Sequence, residues 1–202
     1  MPAGADTVFM QEDVRIEASK VVLPPGLKAG ANVRPVGEDV LEGHRALPAG
    51  RQLRPQDIAL IAALGLTRIE TRRQLRVAVF STGNEVVSPG APRGAAQLFD
   101  SNRFMLTAML KRLGCEVSDL GILRDDRVSL ASALKEAAAR HDLILTSGGV
   151  STGEEDHVKA AVESVGTLVL WRMAIKPGRP VAMGIIGGTP FIGLPGNPVA
   201  SF

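Results

Sequence analysis

The chain has 202 residues, of which 45% are hydrophobic and 22% charged, with a net charge of +2. Those proportions fit a globular protein and exclude an unfolded, charge-rich tail. Aromatic residues make up only 3% and tyrosine is absent, so the stacking platform of a nucleic-acid binder is missing too. The longest apolar candidate, Ile58–Leu66, is far too short to cross a bilayer. Met1-Pro2-Ala3-Gly4 does not begin a charged region followed by an apolar one, as an export signal would. Cys115 is the single cysteine, so no internal disulfide can form and a structural role as a small apolar group is expected. Together these features point to the cytoplasm and to no membrane partner.

Residues 1–36 are rich in Pro, Gly and Val, and short alternating stretches at Thr7–Met10 and Val14–Glu17 predict strands of a partial β-rich domain. Residues 37–75 form a linker domain with one helix, which has Pro55 near its start, Gly65 at its end and an apolar face of Ile58, Ile61, Ala62 and Leu66. That zone is too small to bury a core alone. The arginines of Arg68–Arg76 read as a solvated linker. Residues 76–202 change character. Strands are expected at Arg76–Phe80, Val117–Leu123, Leu143–Thr146, Leu168–Leu170, Val181–Ile186 and Phe191–Leu194. Between them fall helices at Ser101–Leu113 (capped by Asp100 or Ser101), Val128–Arg140 and Asp156–Val165. Strands apolar on both faces that alternate with helices predict an α/β domain, a mostly parallel sheet sandwiched by helices.

Ligands of such sheets bind at the carboxyl ends of the strands. Four segments that combine glycine with polar or charged groups follow predicted strands: Ser81-Thr82-Gly83-Asn84-Glu85, Arg124-Asp125-Asp126, the run from Ser147, Gly148 and Gly149 through Ser151 to Asp156, and Gly193-Leu194-Pro195-Gly196-Asn197-Pro198. The glycine loop after Ser147 could cradle an anion on its backbone N–H groups and the next helix's positive end, although a plain tight turn explains it equally well. It is neither a Walker loop nor a dinucleotide fingerprint. Glu85, Asp125 and Asp156 lie beside strand ends on one edge of the sheet. Converging carboxylates repel unless a hard cation such as Mg²⁺ sits among them; each taken singly also reads as a helix cap or a solvated charge. Lys176, flanked by Arg172 and Arg179, could neutralise an oxyanion or lie in solvent. Asn197 could cap a helix. His44, His141 and His157 lack zinc-ligand spacing, and Trp171 reads as packing.

Taken in order, these segments resemble the molybdopterin molybdotransferases, the molybdenum-insertion enzymes of molybdenum cofactor biosynthesis. The resemblance covers nearly the whole chain. It rests on Pro2–Val8, Val33–Asp39, Phe80–Glu85, Phe99–Arg103, Leu123–Asp126, Ser147–Asp156, Ala174–Pro180 and Gly193–Pro198. It implies a molybdopterin-binding fold and a reaction in which adenylylated molybdopterin and molybdate give molybdenum cofactor and AMP, with Mg²⁺ as the usual cation.

Carried over by position, Glu85, Asp125 and Asp156 look like the family's essential acidic residues around cation and pyrophosphate, and Lys176 like its oxyanion-binding lysine. Arg172 stands where lysine is usual, a change that is not neutral at a tight site. Asn84 replaces a frequent aspartate. The resemblance also implies substrate contacts from Thr82, Gly83, Asp100, Ser101, Asn102, Ser147, Gly148, Gly149, Ser151, Pro195, Gly196 and Asn197. In a homodimer, Arg34 and Asp39 look like the other subunit's contribution. The family's proteins are longer, which implies a sequence incomplete at both ends. Three alternatives use a similar domain: a molybdopterin adenylyltransferase, against which residues 1–75 argue; a competence-damage-type nucleotide hydrolase, against which Lys176-Pro177-Gly178 and the β-rich zone argue; and a non-catalytic scaffold, against which the full set of carboxylates argues.

Overall fold

A computed structural model describes residues 1–150, 157–172 and 180–202, apart from the side chains of Trp171 and Arg172. Contacts separate the chain into two units, Met1–Glu70 and Thr71–Phe202.

The first unit is mostly turns. A single 3-10 turn spans Gln11–Asp13, and an antiparallel hairpin joins β1 (Arg15–Glu17) to β2 (Lys20–Val22), with every residue of both strands exposed. The strand expected at Thr7–Met10 is absent. Val8 N–H donates to Ala31 O at 3.1 Å, but one such link does not make a ladder. The expected helix is α1 (Pro55–Ala63), with Pro55 in its first turn and Gly65 just beyond its end. Its start is held by Asp57, whose carboxylate accepts from the Arg54 backbone N–H at 3.0 Å and from the Arg51 side chain at 2.9 Å. Asp57 is also the one buried residue of the unit, while Ile58 on the expected apolar face is half exposed. Polar links and turns, not an apolar core, hold these seventy or so residues, in keeping with how little surface so short a segment can bury.

The second unit is layered. Its strands are β3 (Arg76–Thr82), β4 (Val86–Val87), β5 (Leu98–Phe99), β6 (Glu116–Leu123), β7 (Leu143–Ser147), β8 (Gly166–Arg172), β9 (Pro180–Ile186) and β10 (Thr189–Leu194). Its helices are α2 (Asn102–Arg112), α3 (Arg127–Arg140), α4 (His157–Val165) and the short α5 (Pro198–Ser201). Six strands form one sheet in the order β6-β3-β7-β10-β9-β8. The first four are parallel; β9 runs antiparallel to β10, and β8, antiparallel to β9, runs in the direction of the first four. β4 and β5 make a separate parallel pair.

Side-chain alternation assigns the two faces. Ala78, Phe80 and Ile144 pack with Leu130 and Leu134 of α3 and Val158 and Val162 of α4. Val77, Val79 and Leu145 pack on the other side with Leu106 of α2. Cys115 lies against this second cluster as one more small apolar group. Burial of each large side chain such as Phe80 or Phe191 is worth roughly 1.5–3 kcal/mol, so the sandwich supplies the stability that the first unit cannot. No helix among the described residues is long and apolar enough to cross a membrane.

At the sheet's amino edge the arginine run is anchored after all. The Asp142 carboxylate pairs with Arg73, accepts from the Arg76 backbone N–H at 2.9 Å and meets the Arg76 guanidinium at 3.2 Å. The bond from Arg73, then those from Arg76, hold the Asp142 pKa well below the usual carboxylate range. A depressed folded-state pKa stabilises fully above the unfolded value of about 3.9 and is withdrawn as pH falls below it. Asp142→Asn is therefore expected to lower the urea midpoint at pH 7 and to flatten its decline below about pH 4, which denaturation series at several pH values would read.

Candidate functional site

The parallel strands β6, β3, β7 and β10 all end on the same edge, so the four polar segments that follow them share one rim. Between β3 and β4, Gly83 lets the chain turn so that the exposed Glu85 carboxylate folds back over it; a methyl group on Gly83 would lie 2.8 Å from Glu85 Oε2. After β7 the turn at Gly148 and Gly149 lies hard against β3. Gly148 has φ +89° and a Cβ there would stand 2.3 Å from the Thr82 carbonyl oxygen. After β10, Pro195 and Gly196 lead into α5, where Asn197 accepts from the Val199 N–H at 3.0 Å, the helix cap expected of it.

One side chain joins these loops. Asn102, at the first turn of α2 and only 6% exposed, donates to Ser147 Oγ at 2.7 Å and to the Gly196 carbonyl at 2.9 Å. The Gly148 N–H donates to Leu194 O at 3.0 Å, so it is spent within the protein and is not available to an anion as the sequence suggested. Ser147 Oγ also donates toward Pro195 O at 3.4 Å. Asp100 and Ser101 precede the same helix. Ser101 makes no capping bond, while Asp100, 3% exposed, accepts from Ser81 Oγ at 3.1 Å and from Arg103 Nε at 2.8 Å. The Asp100 carboxylate is thus occupied by protein partners.

Beyond β6 the two adjacent aspartates divide their roles. Asp126 caps α3 by accepting from the Ser129 N–H at 2.8 Å, which lowers its pKa. Asp125 is left free of that duty, and its Oδ1 is buried without a partner among the described residues. Among the described residues Thr82 Oγ1, Asn102 Oδ1, Thr146 Oγ1 and, in the middle of α2, Thr107 Oγ1 are likewise buried and unpaired. Buried polar atoms are nearly always satisfied, so Asp125 Oδ1 and Thr82 Oγ1, on segments at the carboxyl ends of β6 and β3, call for partners that the described residues do not supply.

Ser151, Asp156 and Lys176 lie outside the described residues, as does the side chain of Arg172, whose backbone ends β8 opposite Pro180. Among the described residues no group of three or more His, Cys, Asp or Glu is gathered for a metal, so Glu85 and Asp125 do not complete a cation site without a further donor. Arg34 and Asp39 lie in the first unit, where Arg34 pairs with Asp39 and bonds Glu38 at 3.1 Å; these two acids raise the arginine's pKa. Two cavities of about 250 and 380 Å³ flank Leu120, Arg140 and His141, and no candidate residue lines either.

Sequence reasoning named Ser81 and Arg103 within its segments but gave neither a role, and did not single out Asp119; the three fasten the start of α2. The one visible signal was the spacing of Asp100 and Arg103, three residues apart at a helix start. Two stability measurements probe the rim. Gly148→Ala is expected to cost on the order of 2 kcal/mol, from its left-handed backbone and the Thr82 carbonyl together. Asp125→Ala is expected to leave the urea midpoint unchanged or raised, because the carboxylate that it removes has a buried oxygen with no partner among the described residues.

Compared with known proteins, residues 78–202 match the family described as a probable molybdopterin binding domain, and residues 1–65 match the MoeA N-terminal region, domains I and II. A curated relative from Haemophilus influenzae, named molybdopterin molybdenumtransferase, is 44% identical over all of this chain and 50% of its own length. A Nostoc protein of the same name is 37% identical over 99% of this chain and 47% of its own. The crystal structure of the molybdopterin biosynthesis MoeA protein from Pyrococcus horikoshii superimposes with a TM-score of 0.76 at 32% identity, covering 97% of this chain and 49% of that one. The chain spans about half the length of the curated relatives that it matches. With both of its parts matched in order, the chain belongs to the MoeA family of molybdopterin molybdenumtransferases, proteins of molybdenum cofactor biosynthesis.

Proposed function

We propose that the whole protein is a molybdopterin molybdotransferase, which transfers molybdenum from molybdate to adenylylated molybdopterin and releases AMP. The observation that carries the reading is Asp125 Oδ1, buried without a partner among the described residues, on the segment that follows β6 at the carboxyl edge of the sheet. Structural duty accounts for Asp126, Asp100 and Asn197, but not for Asp125. The family names agree, and the match of residues 1–65 to the MoeA N-terminal region favours insertion over adenylylation by the core domain alone.

Under this reading the ligand's pyrophosphate lies along the rim formed by Thr82, Gly83 and the turn after Ser147. Glu85, Asp125 and Asp156 would hold Mg²⁺; the orphaned oxygen of Asp125 fits a hard cation, which accepts oxygen donors of this kind. When bound, such a cation neutralises the pyrophosphate and favours departure of AMP. Lys176, with Arg172, binds the molybdate oxyanion through charge-assisted hydrogen bonds. Gly148 and Gly149 give the rim its shape by their close approach to Thr82, and Asn102 keeps the loops after β7 and β10 at a fixed separation. The protein acts in the cytoplasm as a homodimer, with Arg34 and Asp39 of the other subunit completing the site.

The test uses the full-length protein with adenylylated molybdopterin, Mg²⁺ and molybdate, and follows AMP. Wild-type protein is expected to release AMP only when molybdate is present, and Glu85→Ala and Asp156→Ala to abolish release while keeping the wild-type thermal midpoint. Undiminished release by either variant, or synthesis of the adenylylated intermediate from ATP and molybdopterin, would sink the assignment.

A further inference from the structure

Arg103 carries a buried charge that the proposed reaction does not use. It is 5% exposed in the first turn of α2, where it bonds β6 directly and reaches β3 only through Asp100. Its Nε donates to Asp100 Oδ2 at 2.8 Å and its backbone N–H to Asp100 Oδ1 at 3.2 Å, while Nη1 pairs with Asp119. Burial opposes the guanidinium's charge, but the bonds to Asp100 and Asp119 outweigh it and hold its pKa above the usual value. Asp100 is tied in turn to β3 by the Ser81 hydroxyl, one residue before Thr82.

Asp119 is placed by an irregularity in β6. The register with β3 slips between Val79 and Ser81, so that Val79 pairs with Asp119 but Ser81 pairs with Ile122. The extra residue falls at Leu120–Gly121, where the Gly121 N–H donates to Asp119 Oδ1 at 2.8 Å. A bulge of this kind re-aims a side chain, and here the other oxygen of Asp119 is the one that meets Arg103.

The residue beside Arg103 is Asn102. Both hydrogens of its amide are taken, by Ser147 Oγ and the Gly196 carbonyl, and the carbonyl partner fixes which end of the amide is nitrogen. We propose that Arg103 is a positioning residue of the ligand rim: by pinning the first turn of α2 to β3 and β6, it holds Asn102 where it clamps the loop after β7 to the loop after β10. Asn102 thus acts as a clamp between loops rather than as a donor to the ligand. Arginine is required for this because one planar group must reach two carboxylates in fixed directions, which an ammonium cannot do. The inference rests on the proposed function only for what binds at the rim. The clamp itself is a property of the fold.

The test uses Asp119→Asn and Asn102→Ala in the full-length protein, since Arg103→Met would leave two acids without their partner and could unfold the chain. Asp119 is 42% exposed on its side chain, so its amide variant keeps the fold. Two readouts are taken: hydrogen exchange at the Gly148 N–H, which bonds Leu194 across the clamp, and binding of adenylylated molybdopterin. Each variant is expected to speed exchange at Gly148 with little change in global unfolding, and to weaken binding by roughly tenfold. Because both act through one linkage, the double variant is expected to lose no more than the worse single one. Unchanged Gly148 exchange in both variants, or binding losses that multiply in the double variant, would overturn the proposal. If the wild-type protein binds no adenylylated molybdopterin, the functional reading fails, and Gly148 exchange alone decides the clamp.

Discussion

Strands that are apolar on both faces cannot present chemistry along their length. Val77 and Val79 face α2 while Ala78 and Phe80 face α3 and α4, so the middle of β3 has no position at which a polar group could meet a ligand. Four parallel neighbours under the same constraint leave polar residues two places to gather, the two ends of the strands. The amino end is closed by Asp142 and its arginines. The carboxyl end carries glycine turns and, among the described residues, an unpaired oxygen of Asp125 and unpaired threonine hydroxyls. The candidate site is thus where the packing of the sheet left room for one.

The same constraint explains what the sequence made legible. Apolar runs and their helical intervals placed β3, β6, β7, β10, α2 and α3 to within a residue or two, because each is set by local periodicity. The division of labour at the rim was not legible, since it depends on partners far away in the chain. Asp125 and Asp126 are adjacent acids after one strand, and only the Ser129 contact distinguishes the cap from the free carboxylate. Gly148 looked like a free donor until Leu194, forty-six residues on, proved to hold it. The role of Arg103 was not legible because Asp119 belongs to a strand, and the bulge that aims it leaves no periodic trace. Thr7–Met10 failed in the other direction: it has strand-like alternation, but its bonds to residues 30–32 do not continue into a ladder.

The two units illustrate how differently short polar links and apolar layers fix a chain. In the first, Asp57 gathers Arg51 and Arg54 at the start of α1, and no apolar side chain is buried. In the second, polar links such as the Arg103 network are few but lie within a packed frame, where their directions are enforced by the surrounding side chains. A charge that ties a helix start to a neighbouring strand can transmit position; a charge held by one turn can only stabilise that turn. Position matters most for a rim whose loops must be spaced to a ligand.

The strand order also has a kinetic meaning. β10 pairs with β7 across more than forty intervening residues, and β7 pairs with β3 across more than sixty. Non-local pairings of this kind form late, because loop closure must precede the contacts that reward it. The bonds from Gly148 to Leu194 and from Asn102 to Gly196 cannot exist until β10 has docked, so the rim is among the last parts of the domain to appear during folding. An intermediate that has collapsed around Phe80 and Leu130 but has not yet accepted β10 would own nearly all of the acidic residues of the site and none of its shape.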